Sequence, residues 1–217
     1  MTTDLVMTTA TAFFSEDFIP TRETTATVAG GSRTTPGPAM LDLLYPLSEF
    51  FSHGESAPLA ELEAGGERMP EPYRGLLVHD TDMTSTLAAF HGEPSTLRLV
   101  DKMHHGTDLF RQVVLVGSET GRAFEFGAIR IDLTRFEPEP RQRILEARQP
   151  LGAILAEFGI TYTSHPRLFF HVTANQRMQE IFGLDGARIL YGRQNILADS
   201  TGIPLAEVVE ILPPIDS

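Results

Sequence analysis

The chain contains no cysteine, and that one absence removes disulfides, thiolate metal sites and cysteine nucleophiles together. Lysine is nearly missing as well: Lys102 is the only one, so almost all the positive charge is arginine. Basic residues are scarce overall, 17 Lys and Arg against 29 Asp and Glu, which leaves a formal net charge of −12. A field of that sign repels nucleic acid and anionic membranes, so neither is an expected partner. An anionic small molecule would have to be held by individual arginines, whose planar fork meets a carboxylate with two hydrogen bonds. No apolar run approaches the roughly 20 residues that a bilayer crossing needs. The opening Met1-Thr2-Thr3-Asp4 has no basic stretch leading into an apolar segment, so a secretory leader is not expected and the expected location is the cytoplasm. A Gly-x-Ser-x-Gly nucleophile elbow is missing, and so is a glycine loop of Walker or Rossmann form.

What is present suits one domain, or one domain with an appendage: 217 residues, 41% of them hydrophobic. Residues 1–36 are rich in threonine and end at Gly30-Gly31 and Pro36-Gly37-Pro38, which reads as a mobile arm. Residues 37–217 read as a single domain with its core over 73–214. Leu41, Leu44, Leu47 and Phe51 lie near helical spacing, and 54–72 reads as a polar connection. Thr84–Phe90 predicts a short helix opened by Asp82 or Thr81 and stopped by Gly92. Ser95–Met103, Leu109–Val116 and Arg122–Leu133 are strand-like and separated by short turns, an antiparallel meander. Glu139–Glu157 predicts two helices broken at Pro150. Arg167–Val172 is a further strand, Asn175–Phe182 a helix, and Arg188–Leu197 and Leu205–Leu212 two closing strands. The sum is an α+β domain, an antiparallel sheet of about six strands with helices against it.

Within the second strand of the meander stands Arg111, in Leu109-Phe110-Arg111-Gln112-Val113-Val114-Leu115-Val116. Strand alternation puts it on the same face as Val113 and Leu115. A guanidinium on an apolar face is costly to desolvate unless an anion meets it, so a protein carboxylate or an acidic ligand is expected there. Glu125 and Arg130 follow on the next strand and point to opposite faces, so only one of them reaches the same pocket. Gly127, between them, permits a close approach to the sheet. Arg193 reads either as a second anion-binding arginine or as a hairpin ion pair. His104-His105 does not read as a metal site, because adjacent turn residues point apart and no further ligands complete a set.

Five strings in order resemble the chorismate lyase family: Asp82-Met83-Thr84, Phe110-Arg111-Gln112-Val113, Gln149-Pro150-Leu151-Gly152, Tyr191-Gly192-Arg193-Gln194, and Pro204-Leu205 through Leu212-Pro213. They run from about Tyr73 to Pro214. The resemblance implies a six-stranded antiparallel sheet whose helices act as lids over an enclosed site. It implies elimination of pyruvate from chorismate, or a close relative, to give a hydroxybenzoate without metal or organic cofactor. By matching motif, Arg111 would hold the ring carboxylate, backbone groups at Met83 and Leu151 would assist, and a last-strand glutamate would meet the ring oxygen. Aligned on the bounding prolines, Val209 stands at the family's acid position. Glu207, two residues earlier on the same face, is the expected catalytic acid, and Glu210 is expected to face the other way. Glu125 and Arg193 are expected to bind substrate. The partner would be an aromatic or cyclohexadiene carboxylate, and the protein a monomer or weak homodimer. Two other readings stand beside this: a non-catalytic module binding small aromatic acids, and the same scaffold turned to another elimination or cyclisation in secondary metabolism.

Overall fold

The computed structural model describes residues 41–51, 57–63 and 65–215. The Thr-rich arm expected over residues 1–36 lies outside the described residues. Among the described residues seven strands form one antiparallel sheet: β1 (Ala60–Leu62), β2 (Ser95–His105), β3 (Asp108–Gly117), β4 (Ala123–Asp132), β5 (Thr163–Thr173), β6 (Ile189–Ala198) and β7 (Pro204–Leu212). Their order is β1-β5-β6-β7-β4-β3-β2. The count is one more than expected, and the extra strand is β1, in the stretch read as a polar connection. Three residues are too few to show alternation, and β1 pairs with β5 over Phe170–Val172. The meander of β2, β3 and β4 has the predicted connectivity. β6 and β7 form a hairpin, and β7 lies beside β4, which joins the two halves of the sheet.

Five α-helices accompany the sheet among the described residues: α1 (Tyr73–Leu77), α2 (Met83–His91), α3 (Pro138–Glu146), α4 (Leu151–Glu157) and α5 (Gln176–Phe182). Asp82 opens α2, its carboxylate accepting the Ser85 amide at 2.8 Å, and Gly92 ends it at φ +72°. Pro150 opens α4, while α3 already stops at Ala147 in the left-handed region, so the helix break starts three residues before the proline.

Alternation along the strands sorts the core. On one face Leu44 from a turn and Leu47 from the 3-10 helix that follows it, with Met178 of α5, pack on Val114, Phe126, Ala128, Val209 and Ile211. The other face carries two separate apolar clusters. One joins α3 and α4 to Leu109, Ile129, Ile131 and Leu205. The other joins α1 and α2 to Leu115, Phe124 and Leu212. The sheet between these clusters is where the polar residues of that face collect.

Candidate functional site

Strand pairing lays this face out in transverse rows. Arg111, Ile129, Val208 and Asn195 form one row across β3, β4, β7 and β6; Val113, Gly127, Glu210 and Arg193 form the next; Leu115 and Glu125 begin a third. Residues of all three rows line one cavity of about 100 Å³, roofed by Asp82, Met83 and Thr84 at the start of α2 and by Pro150, Leu151 and Gly152 at the start of α4. That volume is of the same order as the roughly 150 Å³ that accommodates benzene. Past Asp82, Tyr162 and Ser164 lies an outer depression of about 520 Å³.

Gly127 makes the centre of the floor possible. A Cβ there would stand 2.1 Å from the Val209 carbonyl oxygen, so no side chain fits between β4 and β7. At the roof Gly152 is close-packed but not closed to a side chain: its Cβ would stand 3.0 Å from the Tyr162 hydroxyl, which would have to give by a few tenths of an ångström.

Arg111 is 1% exposed and faces the cavity with Val113 and Leu115, as alternation predicts. Its Nη1 donates to the Gln149 carbonyl at 3.3 Å, just ahead of α4. No carboxylate pairs with it among the described residues, and its Nε has no partner. Burial brings its pKa down to about 10. Arg193, fully buried, pairs through Nε with Glu210 and donates through Nη1 to the carbonyls of Leu77 and His79, 2.9 and 2.8 Å away. Each arginine of the face therefore tethers one lid: Arg111 the start of α4, Arg193 the end of α1 and the segment leading to α2. Nη2 of Arg193 has no partner.

Glu125 is 5% exposed, and its Oε2 also lacks a partner. Burial first, then the negative charge of Glu210, push its carboxyl well above the usual range, while Arg193 pulls the other way. Burial and then Asp82 raise the Tyr162 phenol at the mouth. Six buried side-chain atoms lack partners among the described residues, and three of them belong to Arg111, Glu125 and Arg193 in this one cavity. Such atoms are costly to bury, and half of them face this one cavity.

Of the residues singled out from the sequence, Arg111, Met83, Leu151, Arg193 and Glu125 all line the cavity, and Glu207 does not. Glu207 lies on the opposite face, 2.6 Å from Arg130, which also holds Asp108. Glu207 and Val209 do share a face, as expected. That face is the back of the sheet, because Ile129 pairs with Val208 and Gly127 with Glu210. The last-strand acid in the cavity is Glu210, which faces away from Glu207 and Val209 as expected; the face that meets the cavity is its own and not that of Glu207. The sequence carries no signal for it: the register that sets Arg193 opposite Glu210 follows a shift between Leu197 and Ala198 that the turn residues do not mark. The segment at Asp82 and Tyr162 was missed as a mouth, since only packing brings residues eighty positions apart to one opening. Among the described residues no three His, Asp or Glu side chains converge as metal ligands, and no helix is long and apolar enough to cross a membrane.

No family model matches the chain, and no curated protein matches it. Among solved structures it is similar to PhnF from Mycobacterium smegmatis, with a TM-score of 0.49 and 15% identity over 61% of this chain and 63% of that one. The effector domain of the same protein gives a TM-score of 0.49 at 15% identity, over 60% of this chain and 87% of that one. A GntR-family transcriptional regulator from Enterococcus faecalis gives 0.40 at 10% identity, over 56% of this chain and all of that one. The chain thus spans less than two-thirds of the length of full PhnF. Likeness at this level carries nothing about ligand, activity or assembly.

Proposed function

We propose that the chain is a binding domain for a small ring-bearing carboxylic acid, seated between the lids with its carboxylate on Arg111. One observation carries this: a guanidinium 1% exposed, unmatched by any carboxylate among the described residues, in the wall of a cavity. A buried cation without a counter-charge is a standing cost, and an anionic ligand removes it. The planar fork suits a carboxylate. Met83 and Leu151, at the first positions of α2 and α4, bring backbone amides that have no acceptor within their own helices. Apolar Leu97, Val113, Leu115, Ile129 and Leu197 supply walls for a ring.

Calorimetric titration with benzoate and 4-hydroxybenzoate tests this. Both should bind, and Arg111→Gln should weaken binding by on the order of 100-fold or more, as expected when one partner of a buried charged pair is removed. Equal affinity in the variant would refute the assignment.

A second reading, elimination of pyruvate from chorismate, draws support from Glu125. A buried carboxyl of raised proton affinity on the same wall is suited to carry a proton. The reaction removes a ring proton, breaks the ring carbon–oxygen bond and expels enolpyruvate, which takes up a proton to become pyruvate. Pyruvate release from chorismate above the uncatalysed rate, followed with a coupled dehydrogenase, would convert the binding domain into an enzyme. Binding of 4-hydroxybenzoate without any release would leave it a binding module.

A further inference from the structure

We infer that the preferred ligand carries an amino group at the end opposite its carboxylate, and that Glu125 is the residue that receives it. This rests on reading the cavity as a ring-acid site. Arg111 pairs with Ile129, and Glu125 lies four residues further along β4 on the same face. At about 3.3 Å per residue the two Cα positions are roughly 13 Å apart along the strand. Strand side chains stand roughly perpendicular to the sheet, so the two head groups keep a separation of that order along the strand. A ring with substituents at opposite ends bridges it with one hydrogen bond of about 2.8 Å at each end.

Charge then selects the chemistry of the far end. The charged groups lining the cavity are Arg111 from β3, Glu125 from β4, Arg193 from β6, Glu210 from β7 and Asp82 ahead of α2. Arg193 uses Nε for Glu210 and Nη1 for two carbonyls, which leaves only its Nη2 open, and its charge is already matched by Glu210. Asp82 is committed as well, its Oδ2 accepting the Ser85 amide at the positive end of α2. Once a ligand carboxylate sits on Arg111, Glu125 is the acid of the cavity floor left without a cation: Glu210 takes Arg193, and Asp82, which has no cation either among the described residues, is held by the amide end of α2. A ligand hydroxyl offers it a hydrogen bond but leaves its charge uncompensated, beside Glu210. An ammonium supplies both, and a buried carboxylate is tolerated only when paired. Without ligand the cost is avoided by keeping the proton, consistent with the raised proton affinity of Glu125. On binding, that proton passes to a neutral amine of the ligand, or to solvent when the amine arrives already protonated. In either case one carboxylate and one ammonium result.

The test titrates the full chain with benzoate, 4-hydroxybenzoate and 4-(aminomethyl)benzoate. The aminomethyl acid should bind at least about tenfold more tightly than the other two, in keeping with a buried charged pair. Its advantage should grow with pH while Glu125 gives up its proton, whereas benzoate should show no such growth. Glu125→Gln should abolish the advantage. If 4-hydroxybenzoate binds as tightly as the aminomethyl acid, or if Glu125→Gln keeps the preference, the inference is overturned while the carboxylate site stands. If none of the three binds, the carboxylate site falls too. Should the variant fail to fold, the ranking of the three ligands on the unaltered chain decides by itself.

Discussion

Replacing Arg111 by methionine should make the free protein more stable while destroying its capacity to bind acids. The guanidinium is buried, its desolvation is met by only one long hydrogen bond, and its pKa is brought down to about 10. The unfolded chain keeps the ordinary value. Each pKa unit corresponds to about 1.4 kcal/mol, so the charged side chain costs folding on the order of 3 kcal/mol at neutral pH. For a base with a depressed folded pKa, that cost is present throughout neutral pH and is relieved only as pH rises through about 10. Methionine has similar length and no charge, so it removes the cost, offset by about 1 kcal/mol for the lost bond to the Gln149 carbonyl. A net gain of about 2 kcal/mol should follow, or a rise in Tm of roughly 4–8 °C for a chain of this size. Thermal and urea unfolding of both proteins, with and without benzoate, measures it. Benzoate at about 100 times its Kd should add roughly 2.7 kcal/mol to the unaltered protein and nothing to the variant. A variant less stable by 1 kcal/mol or more would mean that Arg111 already has its anion within the fold, and the ligand assignment would lose its basis.

Glu207→Gln should leave the affinity for ring acids unchanged, because this acid pairs with Arg130 on the back of the sheet; a tenfold loss in titration would contradict the register of β7. Glu210→Leu should cost roughly 3–5 kcal/mol in urea unfolding by leaving Arg193 buried and unmatched, and Arg193→Met in the same chain should recover much of it. Failure of that recovery would show the two residues to be independent. Asp199 is held down to about 2, chiefly by the Thr201 hydroxyl, then by the Ile203 amide, with Arg135 adding to it. For a depressed carboxylate the contribution to stability is full above its unfolded pKa and lost as pH falls toward 2. Acid unfolding profiles of Asp199→Asn should therefore be flatter between about pH 4 and 2 than those of the unaltered chain.

Particular elements show how far the sequence could be read. α2 was legible because Asp82 and Gly92 bracket it with side chains that cap a helix, and the meander because its three runs are divided by short turns. β1 was not legible, since its three residues form a strand only where an edge of β5 accepts them. The helix break was legible at Pro150, which caps α4, but its start was not, because Ala147 adopts its left-handed conformation without any glycine to mark it. Glu207 was assigned to the cavity because alternation tells which residues of β7 agree with one another but not which face they agree on. That choice is made by the pairing of Gly127 with Glu210, across strands more than eighty residues apart.

By itself the amino-acid order determined the types of the long strands and of α2, the antiparallel class, and the presence of one cation on an apolar strand face, since each follows from short-range periodicity and charge. The tertiary structure alone decided that Arg111, Glu125, Arg193 and Glu210 share one enclosed space, and that two arginines fasten the helices above it. The reason is register: a one-residue slip in a pleated sheet exchanges its faces, and long-range pairing sets that slip.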